Sequence, residues 1–388
     1  MKLLYCNQLL LKNLDKLDTV IYTGSKNIIT NILPLVDRSG LIQMPYDFAI
    51  YDDFKMPIPD NSFNLEYQDC CEKRAREIIE LSDKLQLPIK ILWSGGIDST
   101  LIIVTFIKLL GLNAAKDRII ILLSTSSIQE NYNFYRNYVK DFKCESGYKI
   151  ESLLDGSSIV ITGEYNDQIF GTELANNMKK YFRGSYNYND PYDRDKWFDY
   201  IVGKDNGPKI FQESFDSPYQ DLGELETNSW LDLIEYTAEN SGLGLSSMFD
   251  YWWWFNFNFK WQSIYFRLLI RADPEHRIII TSEFCKKHLI YFFADQRFQQ
   301  WAFHKRNSYS LDRWQNFKLP AKQIIYEFDK NDDYFFNKLK KGSLYQILND
   351  TNKCLAITDT FEFLDEFDPE DFYIEDNFFN RLIKKNGA

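Results

Sequence analysis

The residues best suited to chemistry stand between two apolar runs. Ile89-Lys90-Ile91-Leu92-Trp93 reads as a buried strand, and the stretch from Asp98 to Leu110 as an apolar helix. Between them the chain runs Ser94-Gly95-Gly96-Ile97-Asp98-Ser99. Glycines carry no Cβ, so backbone N–H groups can approach a phosphate, and the helix that follows aims its N-terminus at the same anion. Ser94 and Ser99 add hydroxyl donors. Asp98 alone would repel an anion, so its presence calls for a divalent cation between carboxylate and phosphates; Mg²⁺ is the hard cation that such oxygen sets take. The plain alternative is a Gly-Gly turn capped by Asp98 and Ser99.

A second constellation follows the β-branched run at 158–162. There the chain reads Gly163-Glu164-Tyr165-Asn166-Asp167-Gln168-Ile169-Phe170-Gly171. Two carboxylates three residues apart after a glycine turn could serve acid–base work and metal binding. The alternative is a strand-end turn leading into an ordinary amphipathic helix. A third stretch, Lys338-Leu339-Lys340-Lys341-Gly342-Ser343, is basic. It reads either as a charge-stabilising loop or as a solvated face.

The first segment resembles the S-G-G-x-D-S pyrophosphate loop of the N-type ATP pyrophosphatases, which cleave ATP between the α and β phosphates. The Gly163–Gly171 segment is similar to the G-E-x-x-D-E-x-F-G-G segment of the asparagine synthetase and β-lactam synthetase family. The resemblance implies a magnesium-dependent ligase that adenylates a substrate carboxylate and forms an amide with ammonia or an amine. It assigns the departing pyrophosphate to Ser94, Gly95, Gly96, Ser99 and the Gly163 turn, and Mg²⁺ to Asp98 and Asp167. It makes Glu164 the acid/base or amine-orienting group, and Lys340 the cation that stabilises the adenylate, with Lys338 and Lys341 as rivals. By family geometry the adenine lies near Leu92 and Leu122. Gln168 stands where the family has Glu, Thr172 where it has a second Gly, and Tyr165 and Asn166 where small residues are usual. The ATP half is therefore expected to be intact and the acceptor half reshaped.

These residues require a scaffold that brings separate strand ends together. Apolar runs at 89–93, 118–123, 148–150 and 158–162 alternate with helical patterns at 68–85, 98–110 and 132–142. That alternation predicts an α/β fold with a parallel sheet, whose ligands sit at the strands' carboxyl ends. The expected organisation is a small β-containing cap over 1–75, a pyrophosphatase domain over 76–345 with a mostly helical C-terminal half, and an acidic tail over 346–388 containing a β-like run at 354–358. The family's amidotransferase half has no counterpart in the residues before 76, and Lys2 follows Met1. Ammonia or amine is then expected from solution, from a separate supplying partner or from the substrate.

Composition narrows the function classes. The chain has 388 residues, 17% of them aromatic, and a formal net charge of -11. That charge argues against broad nucleic-acid binding. Six cysteines without a C-x-x-C pair and three scattered histidines argue against a structural zinc site. No run of about 18 apolar residues occurs, so no membrane span is expected, and the sparse cysteines fit a cytoplasmic location. The segment from Tyr251 to Trp261 has eight aromatics in eleven residues. It reads first as core, and otherwise as an acceptor wall, a homodimer face or, against the acidic balance, a base-stacking surface near Lys260. Two further functions stay open: a pyrophosphatase that adenylates a nucleobase carbonyl, and a nucleotide-binding module without turnover.

Overall fold

The computed structural model describes residues 2–6, 37–41, 55–147, 154–171, 178, 182, 186–187, 189–202, 224–261, 282–305, 318–338, 354–357 and 363–364. The chain opens with β1 (Lys2–Cys6). The body starts with α1 (Tyr67–Leu85), which ends where Gln86 turns left-handed, and continues through β2 (Ile89–Leu92), α2 (Ile97–Leu110), α3 (Leu112–Arg118) and β3 (Ile119–Leu123). Next come α4 (Thr125–Glu130), α5 (Tyr132–Asn137), β4 (Lys143–Ser146), β5 (Ile159–Thr162) and α6 (Asn166–Ile169). The boundary expected near 75 thus falls inside α1, and the helix expected over 132–142 breaks where Tyr138 leaves helical dihedrals.

β2, β3, β4 and β5 join β6 (Leu289–Tyr291) in one all-parallel sheet of order β4-β3-β2-β5-β6. The chain is an α/β protein, as its alternating pattern predicted. β2, β3 and β5 consist almost wholly of β-branched and leucine side chains and are almost entirely buried, as interior parallel strands must be. β4, with the sequence Lys-Cys-Glu-Ser, is largely exposed, which suits an edge.

The strand order has a consequence for ligands. From β2 the chain steps outward to β3 and β4, then returns to the other side of β2 to form β5. The β2–β5 boundary is therefore a topological switch point, where the two strand-end loops diverge and leave a crevice. Both motif segments sit there.

The remaining described helices are α7 (Arg194–Val202), α8 (Glu224–Glu239), α9 (Met248–Phe255), α10 (Ser282–His288), α11 (Gln296–Lys305), α12 (Leu319–Asp329) and α13 (Asp332–Asn337). α12 packs on α1 and α2. Two strands depart from the sequence expectation. A strand at Lys143–Ser146 was not expected, and β6 interrupts the stretch expected to be helical; the strand expected at 148–150 lies outside the described residues. β1, β7 (Cys354–Ile357) and β8 (Phe363–Leu364) form a separate antiparallel sheet, so an N-terminal segment pairs directly with a C-terminal one. No single helix among the described residues is long and apolar enough to cross a membrane.

The aromatic segment is core. Tyr251 through Phe259 and Trp261 are buried across α9 and the π-helical turn that extends it. Trp254 Nε1 donates to Thr237 Oγ1 at 2.9 Å, and Trp253 Nε1 to Gln299 Oε1 at 3.2 Å. Asn256 Nδ2 donates to the Trp252 carbonyl at 2.7 Å, so even the intervening polar residues are turned inward.

Candidate functional site

The Ser94–Ser99 loop leaves β2 and enters α2, whose N-cap is Gly96. Its serines shape the loop itself. The Ser94 N–H donates to Ser99 Oγ at 3.1 Å, the Gly96 N–H to Ser94 Oγ at 3.2 Å, and the two hydroxyls lie 3.1 Å apart. From outside, Tyr334 Oη of α13 donates to the Gly95 carbonyl at 3.0 Å. Gly95 has φ +76°, and a Cβ there would stand 2.4 Å from the Ser127 carbonyl oxygen and 2.9 Å from Glu130 Cβ. Glycine is thus demanded by the close approach of α4 as well as by the anion chemistry inferred from the sequence.

Gly163 performs the second close approach. A Cβ on it would lie 3.1 Å from the Ser99 nitrogen and 3.3 Å from Asp98 Cβ. The missing side chain lets the end of β5 rest on the first turn of α2, so the two sequence segments meet at the switch point. Tyr165 follows with φ 80°, a conformation that costs a bulky residue on the order of 1–3 kcal/mol. Its ring stacks on Trp261 at 4.2 Å with 9° between the planes, which helps to hold it. The turn presents Glu164, half-buried, and starts α6 with Asn166 and Asp167.

The carboxylates of Asp98 and Asp167 converge on one cation. Lys318 Nζ lies 2.7 and 2.6 Å from the two Asp98 oxygens and 2.5 Å from Asp167 Oδ1. Lys318 is the N-cap of α12, left-handed at φ 55° and 3% exposed. Burial alone would lower its pKa, but the Asp167 and Asp98 charges outweigh burial and hold it protonated, above its ordinary value. Burial pushes the Asp98 carboxyl up; the Lys318 ammonium opposes this, Asp167 reinforces it, and Asn166 also pulls down. Asn166 Nδ2 donates to Asp98 Oδ1 at 2.7 Å, and Asn166 Oδ1 accepts from Tyr67 Oη of α1 at 2.6 Å.

Two more lysines surround the loop. Lys338 Nζ donates to Glu130 Oε1 at 2.7 Å, and a Cβ on Gly96 would stand 3.6 Å from that same carboxylate oxygen. Lys322, one turn beyond Lys318, is buried. Desolvation and then the charges of Lys318 and Lys338 lower its pKa to about 8.

Of the residues singled out by sequence, Ser94, Gly95, Gly96, Asp98, Ser99, Gly163, Glu164 and Asp167 come together at the switch point. Leu92 and Leu122 are cross-strand partners at the ends of β2 and β3, with both side chains in the core. Gln168 is buried in α6. Lys340, Lys341 and Thr172 lie outside the described residues; the lysine of that stretch seen over the loop is Lys338. Sequence reasoning missed Lys318, Lys322, Glu130 and Tyr67. Leu319-Pro320 is a helix-start signal that marks Lys318 as an N-cap, but nothing in the sequence ties it to Asp98.

The donor set suits Mg²⁺. Two hard carboxylates from separate strand ends already share one cationic point, filled by an ammonium. No group of three His, Cys, Asp or Glu side chains gathers there among the described residues, so a metal held by this pair would have to take its remaining ligands from phosphate and water oxygens. No family model, no curated protein and no solved structure matches the chain.

Proposed function

We propose that the chain is an ATP-dependent ligase that adenylates a substrate carboxylate, releases pyrophosphate and forms an amide with ammonia or an amine. One observation carries this reading. A serine- and glycine-lined loop at a helix N-terminus and a pair of converging carboxylates share the switch point of a parallel sheet, with lysines around them. The likeness of both segments to the asparagine synthetase and β-lactam synthetase family supports the same chemistry.

In this reading a carboxylate oxygen of the substrate attacks the α-phosphorus of ATP. The bond to the oxygen bridging α and β phosphorus breaks, and pyrophosphate departs onto the N–H groups of the 94–99 loop. Asp98 and Asp167 would hold Mg²⁺, which supplies charge neutralisation to the phosphates when bound. Lys338, and Lys340 from the same stretch, stabilise charge on the adenylate. The amine nitrogen then attacks the acyl carbon, AMP leaves, and Glu164 takes or orients the proton the amine loses.

Product analysis tests the proposal. Mg-ATP is incubated with the protein, a panel of carboxylates and ammonium, and AMP, ADP and pyrophosphate are quantified beside Asp98→Ala. AMP and pyrophosphate that depend on one carboxylate and vanish in the variant are the expected result. ADP as the nucleotide product, or AMP formation that survives Asp98→Ala, refutes it.

A further inference from the structure

Lys318 is a cation placed where the proposed reaction needs a different one. Its Nζ bridges Asp98 and Asp167 at 2.5–2.7 Å and is almost fully buried. Mg²⁺ bridging the same two carboxylates would stand about 2.0–2.1 Å from their oxygens, within the volume the ammonium fills. Metal and ammonium are mutually exclusive between this pair.

Charge counting shows what must follow. Asp98, Asp167 and Glu130, with Glu164 on the neighbouring turn, stand against Lys318, Lys322 and Lys338, four acids and three lysines. A divalent metal arriving alone adds two positive charges and leaves the displaced ammonium without its carboxylates while Lys322 still opposes its charge. A polyphosphate arriving alone adds its negative charge beside Glu130 and the two aspartates. Arriving together, the two ligands nearly cancel, and the displaced ammonium gains phosphate oxygens as partners.

We propose that Lys318 couples metal and polyphosphate binding: it is the counter-ion of the acid pair while the loop holds no anion, and it passes to the anion when the metal takes the carboxylates. Lys318 is thus a positioning residue that makes the two ligands bind as a set. The inference rests on the ligase reading for the identity of the anion.

The test uses Mn²⁺ as the probe, with the free-ion electron paramagnetic resonance signal measured on the full chain with and without pyrophosphate and corrected for the complex the two form in solution. In the wild type, saturating pyrophosphate is expected to tighten Mn²⁺ binding by about tenfold or more, and linkage requires Mn²⁺ to tighten pyrophosphate by the same factor. Lys318→Met should bind Mn²⁺ alone about tenfold tighter than wild type and lose most of the coupling. An uncoupled wild type overturns the proposal without any variant, which matters if Lys318→Met fails to fold. A folded Lys318→Met that binds Mn²⁺ no tighter than wild type also overturns it. AMP formation without coupling leaves the ligase reading standing and removes this proposal; coupling without AMP formation from any carboxylate does the reverse.

Discussion

Tyr67 reaches Asp98 through a single intermediary. Its hydroxyl donates to Asn166 Oδ1 at 2.6 Å, and Asn166 Nδ2 donates to Asp98 Oδ1 at 2.7 Å, with Tyr67 and Asn166 buried and Asp98 partly exposed. A helix from the start of the body therefore orients a carboxylate of the site, using an asparagine where a small residue was the expectation from the family. Tyr67→Phe deletes only the hydroxyl and leaves a buried amide oxygen unsatisfied. The expected cost is about 1–2 kcal/mol in chemical denaturation, with Mn²⁺ affinity in the presence of pyrophosphate falling several-fold. A stability loss with unchanged Mn²⁺ affinity would reduce the tyrosine to a packing residue.

Gly95 and Gly163 separate folding from function. Alanine at Gly95 must place Cβ 2.4 Å from a backbone carbonyl oxygen in a left-handed conformation, so Gly95→Ala should cost several times the usual glycine substitution, about 3 kcal/mol or more. Alanine at Gly163 meets Ser99 and Asp98 at 3.1–3.3 Å, which a displacement of a few tenths of an ångström relieves. Gly163→Ala should lose only about 1 kcal/mol of stability yet lower carboxylate-dependent AMP release at least about tenfold, because it moves one carboxylate against the other. Thermal melts and product assays on both variants check the contrast.

Lys322 predicts a pH dependence. Its folded pKa of about 8 lies below the ordinary lysine value of 10.5. Between the two the unfolded chain binds more protons than the folded one, so this residue makes stability rise with pH from about 8 to 10.5; below 8 its buried charge exacts the full penalty. Lys322→Met should raise stability at pH 7 by on the order of 1 kcal/mol and flatten that rise. The same substitution should weaken pyrophosphate binding at about pH 7, where the wild-type residue is charged, and by less at about pH 9. Titration calorimetry and urea melts at the two pH values decide it.

How much of this was legible in the sequence depends on locality. β2, β3 and β5 announced themselves as apolar runs because strands buried on both faces have no polar side to interrupt them. That Asp98 and Asp167 belong to one site was implied by the resemblance of their two glycine-turn segments to the asparagine synthetase and β-lactam synthetase family, a signal confined to a few residues each. β4 escaped because an exposed edge strand has no apolar pattern, and its alternation of Lys, Cys, Glu and Ser reads as a loop. β6 escaped because three residues inside an aromatic stretch carry no period of their own. Lys318 was illegible for a stronger reason: its role exists only through contacts 220 residues away in the chain.

That separation gives the site a history in time. A ribosome adding about 5–20 residues per second completes Asp98 roughly 10–40 s before Lys318. The β2–β5 core is built from segments already synthesised, and it can form while the acid pair still faces water unbalanced. α12 docks onto that core later, and its arrival brings Lys318 to the two carboxylates and balances their charge. The slowest steps of folding are then expected to be the long-range ones, the addition of β6 and the docking of α12, and their completion to coincide with the birth of a binding-competent site.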